Sequence, residues 1–404
     1  MAIEKPTNKP ERQTLSNSRD SDPSVRCEAS DSVGIVNPLE FHFADPPETF
    51  HLQSGENLGP ITIFYETYGN LNSSHSNAVM IFHATTANHH AAGFHNKNDK
   101  HPGWWDAMIG PGKAFDTDKY FVICSNFLGG CHGSTGPASV NPVTGKPYGL
   151  SFPVLTIGDM VEAQYRLIKH LKINQLYCAA GGSMGGMQAL EWAVRFPDMV
   201  KSAIVLASTA TISAQGIAFH AIGRDAITSD PAWSNGSYYG KPPPRKGLAT
   251  ARKVGHLTYL SDKSLGTRFG RELQEDNNFE YNFKDKFKVE SYLEHKGKTF
   301  AETFDANAYL YITKAMDYYD LTVKPGGLIN IFRNVEAKFL IASFTSDWLY
   351  PPSQSKAIVS ALMQAGKDVS YVQIDSPHGH DSFLIETERQ TRIIQSFLKS
   401  VDAS

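Results

Sequence analysis

The sequence predicts an α/β fold with a mostly parallel central sheet, and two observations support this prediction. Short apolar runs alternate along the chain with segments whose apolar residues recur at the 3.6-residue period of a helix. Several of the apolar runs are continuous rather than alternating in polarity, which is typical of strands buried on both faces of a parallel sheet. We therefore expect helices to cover both faces of the sheet.

Seven segments have the composition of strands, since they are apolar and are bounded by Gly, Asn or Pro. They are Ile61–Tyr68, Ala78–His83, Tyr120–Cys124, Leu176–Ala180, Ala203–Ala207, Phe339–Ser343 and Val369–Ile374. Most of them are followed by a stretch long enough for a helix, as the crossover between two parallel strands requires.

Four further segments have helical periodicity. Ile157–Leu171 has its apolar residues near the helical period, and Thr156 with Asp159 forms the pattern of a capping box at its start. Met184–Phe196 ends before Pro197, which cannot continue a helix. The other two are Ser353–Ala365, which is followed by Gly366, and Glu386–Leu398 near the C-terminus.

Two parts of the chain depart from this alternation. Residues 1–32 are polar and charged, with too little apolar surface to offset the entropy of ordering, so we expect a disordered N-terminal tail. Residues 211–334 are rich in aromatic and charged residues and contain helical patches, which predicts a helical insertion that caps the sheet. The α/β core is then expected in residues 33–210 and 335–404.

Composition and charge exclude several functional classes. The chain has 38 Lys and Arg and 41 Asp and Glu, which gives a formal net charge of −3. This charge argues against a general binder of nucleic acids or membrane surfaces. No apolar run reaches the roughly 18 residues of a transmembrane helix. The 4 cysteines are widely spaced and predict neither a zinc site nor a disulfide framework. Because the polar N-terminus is unlike a signal peptide, a cytoplasmic enzyme is the expected class.

The segment around Ser183 has the pattern of a nucleophile elbow. An apolar strand runs into Gly181-Gly182-Ser183-Met184-Gly185, and a helical pattern follows at once, so the G-x-S-x-G motif lies between a strand and a helix. Glycines beside the serine permit the tight turn. The motif predicts a nucleophilic Ser183 at a helix N-terminus, with the Met184 backbone N–H as an oxyanion donor. A glycine-rich turn without a catalytic role is the alternative.

A serine hydroxyl needs a base, and in this arrangement an acid and then a histidine follow it along the chain. Asp347 comes just after the predicted strand Phe339–Ser343. His380 lies in the loop after the last predicted strand, Val369–Ile374. Because both residues follow strand ends in the required order, we predict a triad of Ser183, His380 and Asp347.

Each partner of the serine has a competitor nearby in the sequence. His378 lies two residues before His380 and is the alternative base. Asp375 is the alternative acid. It follows the same strand as His380 and lies close to it in the sequence, so a turn or capping role suits Asp375 better than the role of catalytic acid. We therefore favour His380 and Asp347.

The residues around Ser183 also carry a family resemblance. The string GGSMGGMQALEWAVRFPD (Gly181–Asp198) closely resembles the homoserine O-acetyltransferases of methionine biosynthesis, which are α/β-hydrolase-fold acyltransferases. The resemblance extends from about Ser32 to Leu398. It includes YETYGNLN (Tyr65–Asn72), PGWWDAMIGPGKAFDT (Pro102–Thr117), NFLGGCHGSTGPASVNP (Asn126–Pro142), FDANAYLYITKAMDYYDL (Phe304–Leu321), FTSDWLYPPSQS (Phe344–Ser355) and GHDSFLIE (Gly379–Glu386).

This resemblance implies roles for individual residues. It gives Ser183, Asp347 and His380 the same catalytic roles as the motif analysis. It implies that Arg224 holds the substrate carboxylate and that Asp381 contacts the substrate amino group, and a guanidinium and a carboxylate suit those partners. A solvated or ion-paired Arg224 and a helix-capping Asp381 are the alternatives.

Two segments depart from the family pattern. The segment His83–Gly93 differs from the usual family sequence in the loop, Ala84–Ala87, that should supply the second oxyanion N–H, so this donor is left open. His220 and Ala221 stand beside the predicted substrate arginine where Asn and Glu are common in the family. L-Serine therefore remains an alternative acceptor to L-homoserine.

Leu349 bears on the acyl donor. Family members that resemble succinyltransferases tend to have Arg two residues after the catalytic aspartate, where it can pair with a succinyl carboxylate. Leu349 offers no positive charge there, which favours acetyl-CoA over succinyl-CoA. The basic stretch Arg245–Lys253 is expected to be a solvated helix face, with the CoA phosphates as its alternative partner.

The expected activity is a ping-pong transfer of an acetyl group from acetyl-CoA to the γ-hydroxyl of L-homoserine, giving O-acetyl-L-homoserine and CoA. A plain serine esterase, with water as acceptor, is the rival interpretation. We expect no cofactor and no metal, since His89 and His90 have neither cysteine nor suitably spaced acids beside them in the sequence. The resemblance suggests a homodimer formed through the insertion, and we expect no nucleic-acid or membrane partner.

Overall fold

Eight strands form the central sheet of the computed structural model, which describes residue 27 and residues 29–274, 279, 281–283, 286–323 and 325–402. They are β1 (Leu39–Phe43), β2 (Ile61–Tyr68), β3 (Ala78–Phe82), β4 (Phe121–Ser125), β5 (Cys178–Gly182), β6 (Ser202–Leu206), β7 (Lys338–Phe344) and β8 (Val369–Ile374). Their order across the sheet is β1-β2-β4-β3-β5-β6-β7-β8. The pairs β1–β2 and β2–β4 are antiparallel and all others are parallel, which confirms the predicted α/β class.

The seven predicted strands all lie in this sheet, with small shifts at their ends. Strands β3, β5 and β6 are buried along their whole length, which explains their continuous apolar runs. Strand β1 was not predicted. It pairs with one neighbour at the sheet edge and buries only Phe41 fully, so its sequence lacks the apolar character of the central strands.

Eleven α-helices accompany the sheet in the described residues. They are α1 (Ile157–His170), α2 (Met184–Arg195), α3 (Ala214–Thr228), α4 (Arg245–Tyr259), α5 (Asp262–Phe269), α6 (Lys288–Thr303), α7 (Ala306–Asp317), α8 (Gly327–Phe332), α9 (Pro352–Gln364), α10 (Ser382–Ile385) and α11 (Thr387–Asp402). The four predicted helices are present as α1, α2, α9 and α11. The capping box of α1 is formed, since Asp159 N–H donates to Thr156 Oγ1 (3.1 Å) and Thr156 N–H donates to Asp159 Oδ2 (2.8 Å).

Two apolar layers pack against the sheet, one on each face. Trp192 of α2 and Leu167 of α1 belong to the first layer. Trp105, which precedes α1, and Phe397 of α11 belong to the second layer. None of the helices described is both long and apolar enough to cross a membrane.

The helices α3 to α8 all lie between β6 and β7, within the predicted insertion of residues 211–334. Three hydrogen bonds tie the insertion to loops that follow the strands of the sheet. Arg252 Nη1 donates to Thr86 Oγ1 (2.9 Å), Trp348 Nε1 donates to Leu260 O (3.0 Å), and Ser261 Oγ donates to the carbonyl of Pro377. The insertion therefore covers the end of the sheet where the predicted site residues lie. Residues 1–26 and 28 of the predicted disordered tail lie outside the described residues.

Candidate active site

Ser183 occupies the sharp turn between β5 and α2. Its backbone has φ 58° and ψ −127°, a positive φ that a serine adopts only under strain. Two hydrogen bonds hold the turn, because Ser183 N–H donates to Leu206 O (3.0 Å) and Ser208 Oγ donates to Ser183 O (2.7 Å). The strand–turn–helix geometry of a nucleophile elbow is thus present, and the side chain lies at the N-terminus of α2 next to the Met184 N–H.

The glycines of the motif are required by close backbone contacts. A Cβ added to Gly185 would lie 2.1 Å from Phe82 O, and one added to Gly181 would lie 2.4 Å from Gly185 C. Both positions are therefore restricted to glycine by packing between β3, β5 and α2.

Replacing Gly185 with alanine should destabilise the protein, because the main chain of β3 or α2 must move to accept the methyl group. We expect a loss of about 1–3 kcal/mol in the free energy of unfolding, as for other overpacked sites. Gly266→Ala is the matched control, since Gly266 lies inside α5 and its added Cβ would have no atom within 4 Å. Denaturant unfolding should show the control equal to or more stable than the parent; equal stability of Gly185→Ala would refute the packing argument.

His380 and Asp347 meet after the ends of β8 and β7. His380 Nδ1 lies 2.8 Å from Asp347 Oδ2, and both side chains are buried. Asp347 Oδ1 accepts hydrogen bonds from the N–H groups of Leu349 (3.0 Å) and Tyr350 (2.9 Å). With both carboxylate oxygens engaged, Asp347 fixes the imidazole so that Nε2 is left for the nucleophile.

The two competitors lie elsewhere. Asp375 is exposed, and its Oδ1 accepts a hydrogen bond from Thr345 Oγ1 (2.8 Å). His378 is half-buried, and its backbone N–H donates to Ser376 Oγ (3.3 Å). The structure thus brings His380, and not His378, to Asp347.

Two cavities meet at Ser183. The larger one has a volume of about 150 Å³ and is lined by Ser183, His380, Asp381 and Arg252, among other residues. The smaller one has a volume of about 40 Å³ and is lined by Ser183 and Leu349, together with aromatic and small polar side chains. We call them the large cavity and the small cavity.

The large cavity collects buried polar atoms that have no hydrogen-bond partner among the described residues. They are His380 Nε2, Arg252 Nε and His256 Nε2. Burial, followed in effect by the charges of Arg252 and Lys296, lowers the pKa of His256 to about 3, so this imidazole is neutral near pH 7. Buried polar groups are usually satisfied, and three unsatisfied ones around one cavity indicate a place for a polar ligand.

Asp381 adds a carboxylate to the large cavity. Burial raises the pKa of Asp381 above its usual value, although nearby basic side chains, first His380 and then Arg252, act in the opposite direction. The cavity therefore has a basic group and an acidic group on its walls beside the nucleophile.

Arg224 lies outside the lining of both cavities, as far as the described residues define them. Its guanidinium is ion-paired with Asp317 (Nη2–Oδ2 2.7 Å) and donates to Thr313 Oγ1 (3.3 Å). His220 Nδ1 lies 2.7 Å from the other oxygen of Asp317. Arg252 on α4 lines the large cavity instead. The sequence places it only in the basic stretch Arg245–Lys253, which was expected to be a solvated helix face.

The loop after β3 borders both cavities. Thr85 lines each of them together with Ser183. Ala87 N–H donates to Ala84 O (3.1 Å), so that N–H is engaged within the loop itself. Among the N–H groups of Ala84–Ala87, that of Thr85 is the best candidate to act with Met184.

Leu349 lies on the wall of the small cavity and is largely buried. Arg224, which donates to Thr313 on the wall of this cavity, is ion-paired with Asp317. No lysine or arginine of the described residues lines the small cavity, and the role of Leu349 in disfavouring an anionic acyl group stays a prediction.

The chain matches the sequence model of the alpha/beta hydrolase fold family over residues 77–387. A homoserine O-acetyltransferase of Methanohalobium evestigatum is 54% identical over 363 residues, covering 90% of this chain and 74% of the relative. A homoserine O-acetyltransferase of Deferribacter desulfuricans is 53% identical over 370 residues, covering 92% of this chain and 97% of the relative.

Two solved structures share the fold of this chain. The crystal structure of homoserine O-acetyltransferase from Bacillus anthracis superposes with a TM-score of 0.84 at 32% identity, covering 90% of this chain and 98% of that one. The crystal structure of esterase E22 superposes with a TM-score of 0.82, also at 32% identity, covering 90% of this chain and 100% of that one. The fold is thus shared by a transferase and by an esterase.

Proposed function

The chain belongs to the homoserine O-acetyltransferase family within the α/β-hydrolase fold, and from this premise we propose that it transfers an acetyl group from acetyl-CoA to the γ-hydroxyl of L-homoserine. The observation that carries the proposal is the large cavity, where Ser183 and His380 lie beside a guanidinium and a carboxylate that form no ion pair with each other. Such walls suit an amino acid, whose carboxylate and ammonium need one partner of each sign.

We assign the substrate carboxylate to Arg252 in place of Arg224. Arg252 lines the large cavity, its Nε is unpartnered among the described residues, and its Nη1 donates to Thr86 Oγ1. Arg224 is already neutralised by Asp317. Asp381 keeps the role that the resemblance implied, as the partner of the substrate ammonium.

In the first half-reaction His380 Nε2 takes the proton of Ser183 Oγ while Oγ attacks the thioester carbonyl of acetyl-CoA. The N–H groups of Met184 and Thr85 stabilise the negative charge that develops on the carbonyl oxygen. The tetrahedral intermediate collapses, the C–S bond breaks, and the proton on His380 passes to the departing thiolate. The products are CoA and an acetyl ester on Ser183.

In the second half-reaction the γ-hydroxyl of homoserine gives its proton to His380 Nε2 and attacks the acetyl ester. The same two N–H groups stabilise the second tetrahedral intermediate. The bond between the acetyl carbon and Ser183 Oγ then breaks, and Oγ recovers the proton from His380. O-Acetyl-L-homoserine leaves, and the enzyme returns to its starting state without a cofactor in the chemistry.

The rival activity is ester hydrolysis, because the fold is also similar to that of esterase E22. Release of CoA and release of acetate, each measured with and without L-homoserine, separate the two activities. A transferase should show CoA release that depends on homoserine and little free acetate. Equal CoA and acetate release, unchanged by homoserine or by L-serine, would identify an esterase.

Leu349→Arg should change donor preference. The new guanidinium would lie on the wall of the small cavity, where it offers a partner to a succinyl carboxylate and removes space from the acetyl group. We expect kcat/KM for acetyl-CoA to fall about 10- to 100-fold, equivalent to the 1–3 kcal/mol of an overpacked site, and the succinyl-CoA to acetyl-CoA ratio to rise. Leu349→Met, which conserves volume, should keep the acetyl preference. An unchanged ratio in Leu349→Arg would remove Leu349 from donor selection.

The pH dependence of homoserine binding should report on Asp381. Because its pKa is raised, Asp381 becomes neutral at a higher pH than an ordinary aspartate, and the ammonium partner is lost as the pH falls. KM for homoserine should rise on acidification, by up to about tenfold per pH unit below that pKa. Asp381→Asn should have a high KM with little of this acid dependence. The pH dependence of Ser183 acetylation by acetyl-CoA alone is the control, because this step involves His380 but not Asp381. A KM for homoserine that does not change with pH in the parent enzyme would contradict the role of Asp381.

We further propose a homodimer that works in the cytoplasm, where acetyl-CoA is available. Exposed apolar side chains on the insertion support a partner surface, among them Ile217 and Ile222 of α3 and Leu257 of α4. Light scattering of the purified protein should give twice the mass of the chain, and a monomer at micromolar concentration would contradict this assembly.

A further inference from the structure

A buried glutamate outside the triad gathers histidines around its carboxylate. Glu66 lies on β2 and is 0% exposed. Its Oε2 lies 2.9 Å from His90 Nδ1, and its Oε1 lies 2.7 Å from His95 Nε2. A third imidazole approaches the same carboxylate, with His89 Nε2 at 3.9 Å from Oε1.

The arrangement has the donor set of a metal site. One donor atom from each of Glu66, His90 and His95 lies within 4.8 Å of the other two. A carboxylate and two imidazoles are ligands that Zn²⁺ uses in proteins, at about 2.0–2.2 Å from the ion. To admit an ion at such distances, each imidazole nitrogen must move away from the carboxylate oxygen that it now contacts at 2.7 or 2.9 Å. The His95 side chain is 42% exposed, so it has room to move and gives the ion a route from solvent.

The cluster has no permanently charged side chain to match its carboxylate among the described residues. Its ion-pair partners among the described residues are imidazoles, with no lysine or arginine within 4.0 Å of the Glu66 carboxylate. A divalent cation bound here would add a fixed positive charge beside this buried carboxylate.

His89 provides a second, independent observation. Its side chain is only 9% exposed, and its Nδ1 has no hydrogen-bond partner among the described residues. Its other nitrogen faces the Glu66 carboxylate. A buried imidazole that is unsatisfied on one side and directed at the cluster on the other is suited to a further ligand or to an outer partner of the ion.

Outer contacts orient the carboxylate, as is usual around bound metals. Tyr68 Oη donates to Glu66 Oε2 (2.8 Å) and accepts hydrogen bonds from the N–H groups of Ala91 (2.8 Å) and Ala92 (3.2 Å). The cluster therefore joins β2 to the segment that follows the loop Ala84–Ala87, which we call the oxyanion loop. This segment begins only a few residues after Thr85.

We propose that Glu66, His90 and His95 form a site for one divalent cation of the zinc class, which fastens residues 89–95 to β2 and so steadies the loop that contains Thr85. This differs from the expectation that the chain binds no metal. The sequence separates Glu66 from His90 by 24 residues, and the folded chain brings their side chains together. The effect on the loop rests on the proposed function, whereas the ion site itself does not.

Titration of the chelator-treated full chain with Zn²⁺ tests the site by calorimetry, with Co²⁺ absorption as a second readout. We expect one ion per chain in the parent. His95→Asn removes a direct ligand, so it should weaken binding by at least the roughly 10- to 100-fold that loss of an outer-shell partner typically costs. His101→Asn, which replaces an exposed histidine of the same loop, should bind like the parent.

Absence of stoichiometric binding, or equal affinity in His95→Asn and the parent, would overturn the proposal and identify the cluster as a histidine–carboxylate network only. Acetyl transfer is measured separately on the stripped and reloaded protein. Zinc binding with an unchanged transfer rate would overturn the link to the oxyanion loop. Zinc binding in a protein that transfers no acetyl group in either state would count against the proposed function and leave the ion site standing.

Discussion

Replacing Asp347 with asparagine should lower kcat by about 10⁴-fold while leaving the fold intact. The two backbone N–H groups that donate to Oδ1 would hold the amide oxygen of the new side chain. Its NH₂ group would then face His380 Nδ1 and make that nitrogen an acceptor. The imidazole proton would move to Nε2, which could no longer take the proton of Ser183.

Steady-state transfer from acetyl-CoA to homoserine, measured together with circular dichroism, checks this prediction. Asp375→Asn is the matched control, because Asp375 is an exposed acid on a neighbouring loop that contacts Thr345 and not His380. The control should keep parental kcat. Parental activity in Asp347→Asn, or a comparable loss in Asp375→Asn, would contradict the assignment of the triad.

Replacing Arg252 with glutamine should lower kcat/KM for homoserine by about 10²- to 10³-fold. Loss of one partner of a buried, hydrogen-bonded charge pair costs about 2–5 kcal/mol, and here the partner left behind is the substrate carboxylate. The effect should fall on the second half-reaction, since acetylation by acetyl-CoA precedes homoserine binding.

Arg224→Gln is the comparison that separates the two arginines. It leaves Asp317 with only His220 as an ion-pair partner among the described residues, so it should reduce stability more than it reduces homoserine use. The rate of Ser183 acetylation by acetyl-CoA alone, measured in both variants, shows whether the loop at Thr86 has been disturbed. A large homoserine effect in Arg224→Gln, with a small one in Arg252→Gln, would restore the role that the family resemblance gave to Arg224.

The catalytic centre could be predicted from the sequence because its residues follow strand ends. Ser183 is preceded by a fully buried strand and followed by a helix, and both features are visible as local patterns. Asp347 and His380 come after β7 and β8 in the same way. Parallel strands bring their carboxyl ends to one edge, so the order of elements alone predicts that these side chains meet.

The proposed partner of the substrate carboxylate could not be found in this way, because it depends on which face of a helix is turned inward. The basic residues of α4 look alike in the sequence, and only the packing of α4 over the sheet selects Arg252 for the large cavity. Arg224 lies on α3 in a segment that resembles the family, and its guanidinium is ion-paired with Asp317 on α7. Glu66 gave no signal either, since its histidine neighbours come from a loop that is distant in sequence.

The central claim is that Ser183 carries the acetyl group between donor and acceptor. Its most direct test is mass spectrometry of the intact, acid-quenched protein after mixing with acetyl-CoA alone, followed by peptide mapping. We predict the added mass of one acetyl group, located on Ser183, and its loss as O-acetyl-L-homoserine when homoserine is added. An unmodified Ser183 in a protein that continues to turn over would contradict the account.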